Sequence, residues 1–420
     1  ISVTDIEKLT DIFCSTTKIP LVAYTGLEYQ LSAIQNNRAI FVLWAITGKL
    51  DAPGAIYLNA KGLETPKLFE IPEEDKPIGV DEFPLFYKFS GLGQFSRFPK
   101  AVLEDEPYPV RGLMILGGSP VLSFPDSKSW REAYKKLDCL IVLDRYYTED
   151  ARYADVVFPA CSLFEVPKAV PGPEGPHIVE PLIEPVGESK NDVLIMGAIA
   201  KKLGFGDKLP QTEEELRSWL LSGTAPYAGD FGTGAGQKKE KHYKKYETGE
   251  LRADGKPGFP TPSGKLEICS TILEENGFVP YPEYKDVRSI PELAGKEYPF
   301  TMTSGARSNN RMGVFGANLD KIAEIEPYPF VDINAEDAKE IGIEDGDMVK
   351  VITPFANGTF KAKIRGIARH AIHIPHGGGS AYMAEPWKNG NVNDLCSLDY
   401  ADPMTGFVLI KSVPCRVEKV

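Results

Sequence analysis

Residues 112–160 alternate short apolar runs with helical patterns, and no other stretch constrains the possible folds of this chain so strongly. The runs "GLMILGG", "DCLIVLD" and "DVVFPA" predict three strands, and "SKSWREAYKKL" and "TEDARYA" predict a helix and a helical turn between them. Strands joined by crossovers of this kind lie parallel, with right-handed connections. The pattern therefore predicts an α/β domain with a parallel sheet, in which ligands bind beyond the carboxyl ends of the strands.

The residues before this pattern indicate the end of another α/β unit. They predict a helix, a buried strand and a second helix, over residues 4–14, "IPLVAYTG" (19–26) and residues 35–48. A Thr4…Glu7 capping box starts the first helix, and Gly48 ends the second. One strand and two helices cannot form a sheet by themselves, so we expect residues 1–55 to be the end of a domain.

The second half of the chain changes from α/β to β patterns. "NDVLIMGAIAKKLG" (191–204) predicts a helix with a glycine stop, and residues 222–262, rich in glycine and lysine, predict a long surface loop at a domain boundary. From about residue 298 short strands predominate, with one helix, "AEDAKEIG", and a hairpin that turns at Asn357-Gly358. Many short strands with one small helix favour a closed barrel over a sandwich.

Net charge limits the ligands that the surface attracts. The chain has 47 Lys and Arg against 59 Asp and Glu, a formal net charge of -12, which argues against general affinity for nucleic acid or anionic membranes. A bound anion would therefore need a local basic pocket. The segment "TSGARSNNR" (303–311) is a candidate, because it places two arginines, two asparagines and a glycine at the end of a predicted strand.

The cysteines and apolar runs exclude several other classes of site. No two of the six cysteines have CxxC spacing, so the sequence signals neither an iron–sulfur cluster nor a structural zinc site. Most lie in apolar runs, as Cys139 does in "LDCLIVLD", which predicts reduced and buried thiols. The run "AIFVLWAITG" is too short to span a bilayer. Nothing in the sequence indicates a compartment.

Three histidines lie close together in the sequence and invite comparison with a metal site. On a strand His370 and His376 face one side and His373 the other, and Pro375 prevents a helix that could gather all three. This geometry disfavours a metal triad. His376 is followed by three glycines, which let a backbone approach a ligand closely.

"GTGAGQKK" (232–239) follows no strand and has neither nucleotide fingerprint, so it predicts a loop.

Polar groups follow two of the predicted parallel strands. The turn "LGGSP" (116–120) could bind a phosphate or a base through its backbone amides, or be a plain turn. Asp144 could cap the following turn, or its carboxylate could accept two hydrogen bonds from a guanine edge. Asn393 has a similar ambiguity between a loop residue and an amide that binds a ligand. No Ser/His/Asp arrangement and no catalytic carboxylate pair is visible, so no catalytic residue is predicted.

Six segments form a recognisable set when they are taken in chain order: "TGLEYQLSAIQNNRAIFVLWAITGKLDAPGA", "LMILGGSP", "VLDRYYTEDARYADVVFPACSLFE", "TSGARSNNR", "AEDAKEIGIEDGDMVKV" and "NVNDL…DPMTGF…K". Together they resemble the molybdopterin oxidoreductase family, that of dimethyl sulfoxide reductase and formate dehydrogenase. The resemblance extends over nearly the whole chain. The tail "CRVEK" and the form "SGAR" resemble the branch with polysulfide or thiosulfate reductase-like and acetylene hydratase-like members.

The resemblance implies a cofactor and a set of contacts. Members bind molybdenum or tungsten through two molybdopterin guanine dinucleotides, and transfer oxygen or sulfur atoms, or electrons with a proton. The implied architecture is a Rossmann-like α/β dinucleotide-binding domain over residues 56–265, followed by a six-stranded double-psi-type β-barrel over residues 266–420. Twelve residues are implied to contact the dinucleotides: Gly117, Ser119, Asp144 and Thr148 at guanosine diphosphate, Ser304, Gly305, Arg307 and Asn310 at pterin or pyrophosphate, and His376, Gly377, Asn393 and Lys411 beside them.

Some positions depart from the family pattern. Ser119 stands where asparagine is usual, Gly313 lies near the place of a frequent histidine, and "HGGG" replaces a stretch that resembles "HGWW". The family's iron–sulfur region and its metal-binding residue lie upstream of the residues present here. The resemblance therefore implies the carboxyl-terminal portion of a catalytic subunit, inactive by itself.

The resemblance also implies partners for the parent enzyme: an iron–sulfur electron-transfer subunit and a membrane anchor subunit, with no nucleic acid and no direct insertion of this chain into a membrane. The rival interpretation is a structural electron-transfer subunit that keeps the fold without the cofactor, as in the large iron–sulfur subunit of NADH dehydrogenase. Arg307 and the polar segment around it favour the cofactor-binding interpretation, because a cofactor-free subunit has no need of them.

Overall fold

The computed structural model describes residues 1–58, 76–170, 172, 175–222, 241–305, 318–383, 385 and 387–420, and all structural statements below refer to them. Eleven strands lie in this part of the chain: β1 Gly112–Leu116, β2 Cys139–Asp144, β3 Val156–Pro159, β4 Lys168–Val170, β5 His177–Val179, β6 Phe300–Ser304, β7 Phe330–Asn334, β8 Met348–Ile352, β9 Asn357–Arg365, β10 Ala371–Ile374 and β11 Lys411–Lys419. The α-helices are α1 Val3–Ser15, α2 Ala33–Ile46, α3 Pro84–Ser90, α4 Phe98–Glu104, α5 Pro120–Ser123, α6 Ser127–Lys136, α7 Asp192–Lys202, α8 Glu213–Leu221, α9 Lys245–Thr248, α10 Thr271–Glu275, α11 Asp320–Ile325 and α12 Ala335–Glu340.

The predicted parallel sheet is present and has the order β1-β2-β3. Leu116 pairs with Leu143, and Asp144 pairs with Pro159, so the three strands end at the same edge. Helix α6 buries Trp130 completely in the core beneath the sheet. The alternation of strand and helix thus places the ends of β1, β2 and β3 side by side, as the sequence predicted.

The predicted barrel is also present, closed and six-stranded, with the order β10-β6-β11-β8-β9-β7. Two of its strand pairs are parallel and the other four antiparallel. Inward-facing side chains alternate with outward-facing ones, so that Met302 on β6, Ile333 on β7 and Val349 on β8 are completely buried. Closure leaves no free strand edge, which makes the barrel a self-contained unit.

The hairpin between β8 and β9 forms, but its turn was predicted at the wrong residues. Asn357 pairs with Ile352 and belongs to β9, so the turn lies at residues 353–356. The Thr353 hydroxyl oxygen accepts hydrogen bonds from the backbone N–H groups of Phe355 and Ala356, at 3.2 Å each. A threonine side chain thus holds the turn where an Asn-Gly pair was expected to do so.

The amino-terminal region differs from its prediction in two respects. Helix α1 is capped by Ser2, whose Oγ accepts the backbone N–H of Asp5, and not by Thr4. Residues 19–26 form no strand, and Val22 is 93% exposed. An isolated extended segment has no hydrogen-bonding partner to make it a strand, and the described residues contain no strand beside this one.

Residues 241–262 are the described end of the predicted surface loop, and part of them is buried. The Lys245 ammonium donates to Asp51 Oδ1 at 2.6 Å, and its backbone N–H donates to Asp51 Oδ2 at 2.7 Å. The same ammonium lies 3.8 Å from the centre of the Tyr57 ring. This pair fastens the loop to the end of the amino-terminal region. "GTGAGQKK" lies outside the described residues.

The cysteines are free, but the prediction that most of them are buried is wrong: Cys396 and Cys415 are buried, whereas Cys161 is partly exposed and Cys14, Cys139 and Cys269 are exposed. Cys139, used above as the example of a buried thiol, is exposed because it is the first residue of β2, at the rim of the sheet. Within the described residues no helix has the length and apolarity needed to cross a membrane.

Candidate functional site

The edge formed by the ends of β1 and β2 holds three of the residues that the sequence singled out. Gly117 has φ of +60°, its N–H donates to Leu143 O at 2.9 Å, and nothing lies within 4 Å of the position that a Cβ would take. Asp144 Oδ1 accepts the backbone N–H of Tyr146 at 3.0 Å, which is the capping role. Thr148 is buried, and its Oγ1 accepts the N–H of Ala151 at 3.3 Å. The backbone above Gly117 is therefore open to a ligand.

Ser119, in the turn after β1, is held by a carboxylate that sequence reasoning missed. Its hydroxyl donates to Asp150 Oδ2 in a short hydrogen bond. Asp150 Oδ1 accepts the Val121 N–H at 3.1 Å and the Tyr134 hydroxyl at 2.8 Å. Burial raises the pKa of Asp150, and hydrogen bonds from its neighbours oppose that rise. Nothing in "TEDA" distinguished this aspartate from a solvated one.

Asp192 is a second acid at the same edge that sequence reasoning missed. Residue Ala160, beyond the end of β3, forms a parallel bridge with Lys190, and this pairing brings the start of α7 beside the strand ends. Burial raises the pKa of Asp192, and the negative charge of Asp144 raises it further. Its position after a helix-capping asparagine gave no sign of this proximity.

The barrel brings Gly305, His376 and Lys411 together. Gly305 follows β6 with φ of +109°, and a Cβ placed on it would lie 2.6 Å from Lys411 Nζ and 3.1 Å from His376 Nε2. Only glycine fits that position without displacing one of these side chains. Ser304, just before it, is fully buried, and its hydroxyl donates to Ile410 O at 3.0 Å. The Ser304 side chain therefore secures the end of β6.

Lys411 has the electrostatic character of an anion-binding residue. It is half-buried, and burial lowers the pKa of its ammonium. Among the described residues, no carboxylate forms an ion pair with the Lys411 ammonium. A lysine taken partly out of water without a counter-charge is unfavourable unless an anion binds beside it.

Asn393 lies at the junction of the barrel and the α/β domain. It is 2% exposed, its Nδ2 donates to Leu122 O at 2.7 Å, and its backbone oxygen accepts the N–H of Asp126 at 3.1 Å. Its Oδ1 is buried without a hydrogen-bond partner. The loop that begins at Gly377 (φ +134°) crosses the same junction, where Glu149 Oε2 accepts the N–H of Ala381 at 3.2 Å.

The predicted residues thus form two groups, one at the sheet edge and one at the barrel, with Asn393 between them. Arg307 and Asn310, and Gly313 with them, lie outside the described residues. The three histidines have different neighbours: His373 contacts Asp332, His370 lies near Asp337, and His376 faces Gly305. No cluster of His, Cys, Asp and Glu suited to a metal ion occurs among the described residues.

The donor set fits a dinucleotide. Lys411, which has no carboxylate partner among the described residues, and the glycine beside it suit a phosphate or pterin, and an open turn after a strand suits a diphosphate. The Asn393 Oδ1 atom, which has no hydrogen-bond partner in the same part of the chain, can accept a hydrogen bond from a bound group.

Comparison with known proteins gives the same result. A model described as molybdopterin oxidoreductase matches residues 33–202, and one described as "Molydopterin dinucleotide binding domain" matches residues 301–414. Dopamine dehydroxylase of Eggerthella lenta is 26% identical, over 94% of this chain and 48% of its own length. The F420-dependent formate dehydrogenase subunit alpha of Methanocaldococcus jannaschii is 30% identical, over 65% of this chain and 39% of its own length.

The solved structure of acetylene hydratase from Pelobacter acetylenicus superposes on the entire chain with a TM-score of 0.76, at 20% identity, and 63% of that protein is covered. This likeness concerns the fold. The chain spans about half the length of the curated relatives named above. With both family models matched in chain order and the fold shared throughout, the chain belongs to the molybdopterin oxidoreductase family.

Proposed function

We propose that this chain is the carboxyl-terminal, dinucleotide-holding portion of a molybdenum- or tungsten-dependent oxidoreductase with a bis(molybdopterin guanine dinucleotide) cofactor. The observation that carries the proposal is the meeting of Gly305, His376 and the unneutralised Lys411 at the rim of the barrel. A cationic side chain and a close backbone approach suit an anionic pterin phosphate or pyrophosphate. When bound, the cofactor would supply the two-electron chemistry of the metal.

The chain's own residues would bind and orient that cofactor. Lys411 would neutralise phosphate charge, Gly305 would leave room for it, and His376 would donate or accept a hydrogen bond beside it. Gly117, Ser119, Asp144 and Thr148 would hold the guanosine end at the sheet edge, and Gly377 and Asn393 would close the wall between them. Arg307 and Asn310, which follow Gly305 in the sequence, would add donors to the same anion.

The parent reaction we propose is transfer of electrons with an oxygen or sulfur atom, of the polysulfide or thiosulfate reductase type, in which an iron–sulfur subunit and a membrane anchor subunit relay electrons. The support is the resemblance of "SGAR" and "CRVEK" to that branch. Related proteins are named after different reactions, from dopamine dehydroxylase to acetylene hydratase. The full-length protein should therefore be assayed for both reductase and hydratase activity.

An amino-terminal half of the parent protein would cover the uncovered helix α1 and supply the metal-binding residue and an iron–sulfur cluster. Val3, Ile6, Leu9 and Ile12 of α1 are all exposed. Hydrogen exchange compares this chain with the full-length protein. We expect slower exchange of α1 amides in the full-length protein, and equal rates would contradict this part of the proposal.

Metal and pterin analysis of the full-length protein, purified without oxygen, tests the cofactor. We expect molybdenum or tungsten, fluorescent pterin oxidation products, and two guanine nucleotides per metal ion. Lys411→Met should lower the retained pterin several-fold, whereas Lys419→Met, on the same strand but exposed and paired with Asp347, should not. Absence of both metal and pterin from the wild-type protein would favour the cofactor-free structural subunit.

A further inference from the structure

Asp150 is a buried carboxyl group that none of the roles above uses. It is fully inaccessible to solvent, and the described residues place no lysine or arginine against it. Three donors surround it: the Ser119 hydroxyl, the Val121 N–H and the Tyr134 hydroxyl. Ser119 belongs to the turn after β1 and Val121 to helix α5, which follows it, so Asp150 holds both ends of that connection.

The arrangement of these donors fixes the polarity of Ser119. Val121 and Tyr134 both donate to Oδ1, and Ser119 donates to Oδ2. Ser119 is also the N-cap residue of α5, yet its side chain makes no capping hydrogen bond. The Ser119 hydroxyl donates to Asp150 Oδ2, so its single proton is directed to that carboxyl group. The remaining lone pairs of Ser119 Oγ are left as acceptors.

An acceptor at this place selects among the groups of a nucleotide. Phosphate oxygens at neutral pH are acceptors themselves, so they gain nothing from Ser119 Oγ, and the negative charge of Asp150 disfavours them further. The hydroxyl groups of a ribose can donate. The guanosine end that the sheet edge is proposed to hold contains both kinds of group.

We propose that Asp150 is a positioning residue that makes Ser119 a hydrogen-bond acceptor for a ribose hydroxyl of the bound guanine nucleotide, so that the Ser119 side chain contacts the sugar and not the diphosphate. The inference rests on the proposed function, because it assumes that the sheet edge holds a guanosine. It assigns the phosphate contacts to the Gly117 backbone and to the barrel group around Lys411.

The test compares GDP, 2′-deoxy-GDP and 3′-deoxy-GDP binding to this chain by isothermal titration calorimetry. We expect one of the deoxy analogues to bind about fivefold more weakly than GDP, the loss typical of one hydrogen bond. In Asp150→Asn the amide oxygen can keep Val121 and Tyr134, but the amide N–H₂ then donates to Ser119. The Ser119 proton is then free to donate to a phosphate oxygen instead of being held by Asp150, so most of the preference for the sugar hydroxyl should be lost.

Two further variants separate positioning from folding. Tyr134→Phe removes the third donor to Asp150 and leaves Ser119 untouched, so it should lower the melting temperature but keep the discrimination among the three nucleotides. Ser119→Ala should lose the discrimination, and adding Asp150→Asn to it should change the discrimination no further. Circular dichroism on each variant identifies any that is unfolded.

The outcomes distinguish this inference from the function on which it rests. Binding of GDP without discrimination in the wild-type chain, or discrimination that survives Asp150→Asn, overturns the role of Asp150 and leaves the proposed function standing. No binding of GDP to this chain, together with no guanine nucleotide in the full-length protein, overturns the proposed function itself.

Discussion

The barrel and helix α1 of the amino-terminal region differ in how far their apolar side chains are buried. In the barrel, side chains such as Met302 and Ile333 are completely buried, because six strands close on one another. In helix α1 only Phe13 is buried, and Leu9 is 65% exposed. A closed sheet supplies its own partners, whereas an amphipathic helix needs another surface. The comparison indicates that the barrel strands bury their apolar side chains against one another, whereas helix α1 leaves most of its apolar side chains exposed in this chain.

The Asp51–Lys245 pair is a buried contact between the amino-terminal region and residues 241–262, and its removal should have the largest effect among the substitutions proposed. Asp51→Asn leaves the Lys245 ammonium buried without a carboxylate, which costs about 3–5 kcal/mol for pairs of this kind. We expect amides near residues 49–58 and 245–250 to exchange much faster, with those of β6 and β11 unchanged. Hydrogen exchange with mass spectrometry measures both regions at once.

Glu247→Gln is the matched control, because it breaks an exposed pair with the neighbouring Lys244. It should change stability by less than about 0.5 kcal/mol. Equal effects of the two substitutions would show that the buried pair is not an anchor.

The same substitution in the two regions gives the most direct comparison. Ile333→Ala in β7 should lower the free energy of unfolding by about 2–4 kcal/mol, because it leaves a cavity in a closed core. Ile12→Ala, on the exposed face of α1, should change it by no more than about 0.5 kcal/mol. Urea unfolding followed by circular dichroism measures both. A loss at Ile12 as large as that at Ile333 would contradict the view that α1 is uncovered in this chain.

A smaller effect on stability is expected in the loops beyond the parallel sheet, where the Glu165 carboxylate holds two segments together. Glu165 accepts hydrogen bonds from Ser162 and from the N–H of Val186, and these lower its pKa from 4.5 to about 2. A lowered pKa means that its stabilising contribution is complete above about pH 4.5 and is lost as the pH falls toward 2. Glu165→Gln should therefore weaken the acid dependence of stability in that window.

The measurement is the urea midpoint as a function of pH, with the exposed Glu188→Gln as the control. The control should retain the acid dependence of the wild type. The same acid dependence in Glu165→Gln would mean that other carboxylates account for it.

Local patterns were enough to predict most of the fold. The alternation of strands and helices over residues 112–160 gave the parallel sheet, because the period of apolar residues follows directly from backbone geometry. The short runs after residue 298 gave the closed barrel. The hairpin turn was misplaced because the Thr353 side chain stabilises the turn, where Asn357-Gly358 had been expected to form it. The strand predicted at residues 19–26 was wrong because composition does not reveal whether a partner strand exists.

The candidate site was predicted less completely, since its parts are far apart in the sequence. Gly305, His376 and Lys411 were each implied by a motif, and the structure brings them into contact. Asp150 and Asp192 were missed because their importance comes from burial and from the neighbours they acquire on folding. Ser304 and Asn393 matched motifs, yet their side chains hold protein groups as well.

The sequence by itself determined the family, the class of most secondary structure elements and the chemistry available at the strand ends, because these depend on residue type and short-range spacing. Only the tertiary structure decided which polar groups acquire a partner and which do not. Ser119 has its proton directed to Asp150, Lys411 has no carboxylate in the described part of the chain, and Lys245 has one across 194 residues. Hydrogen bonding and desolvation act over a few ångströms in space, and a linear sequence does not contain those distances.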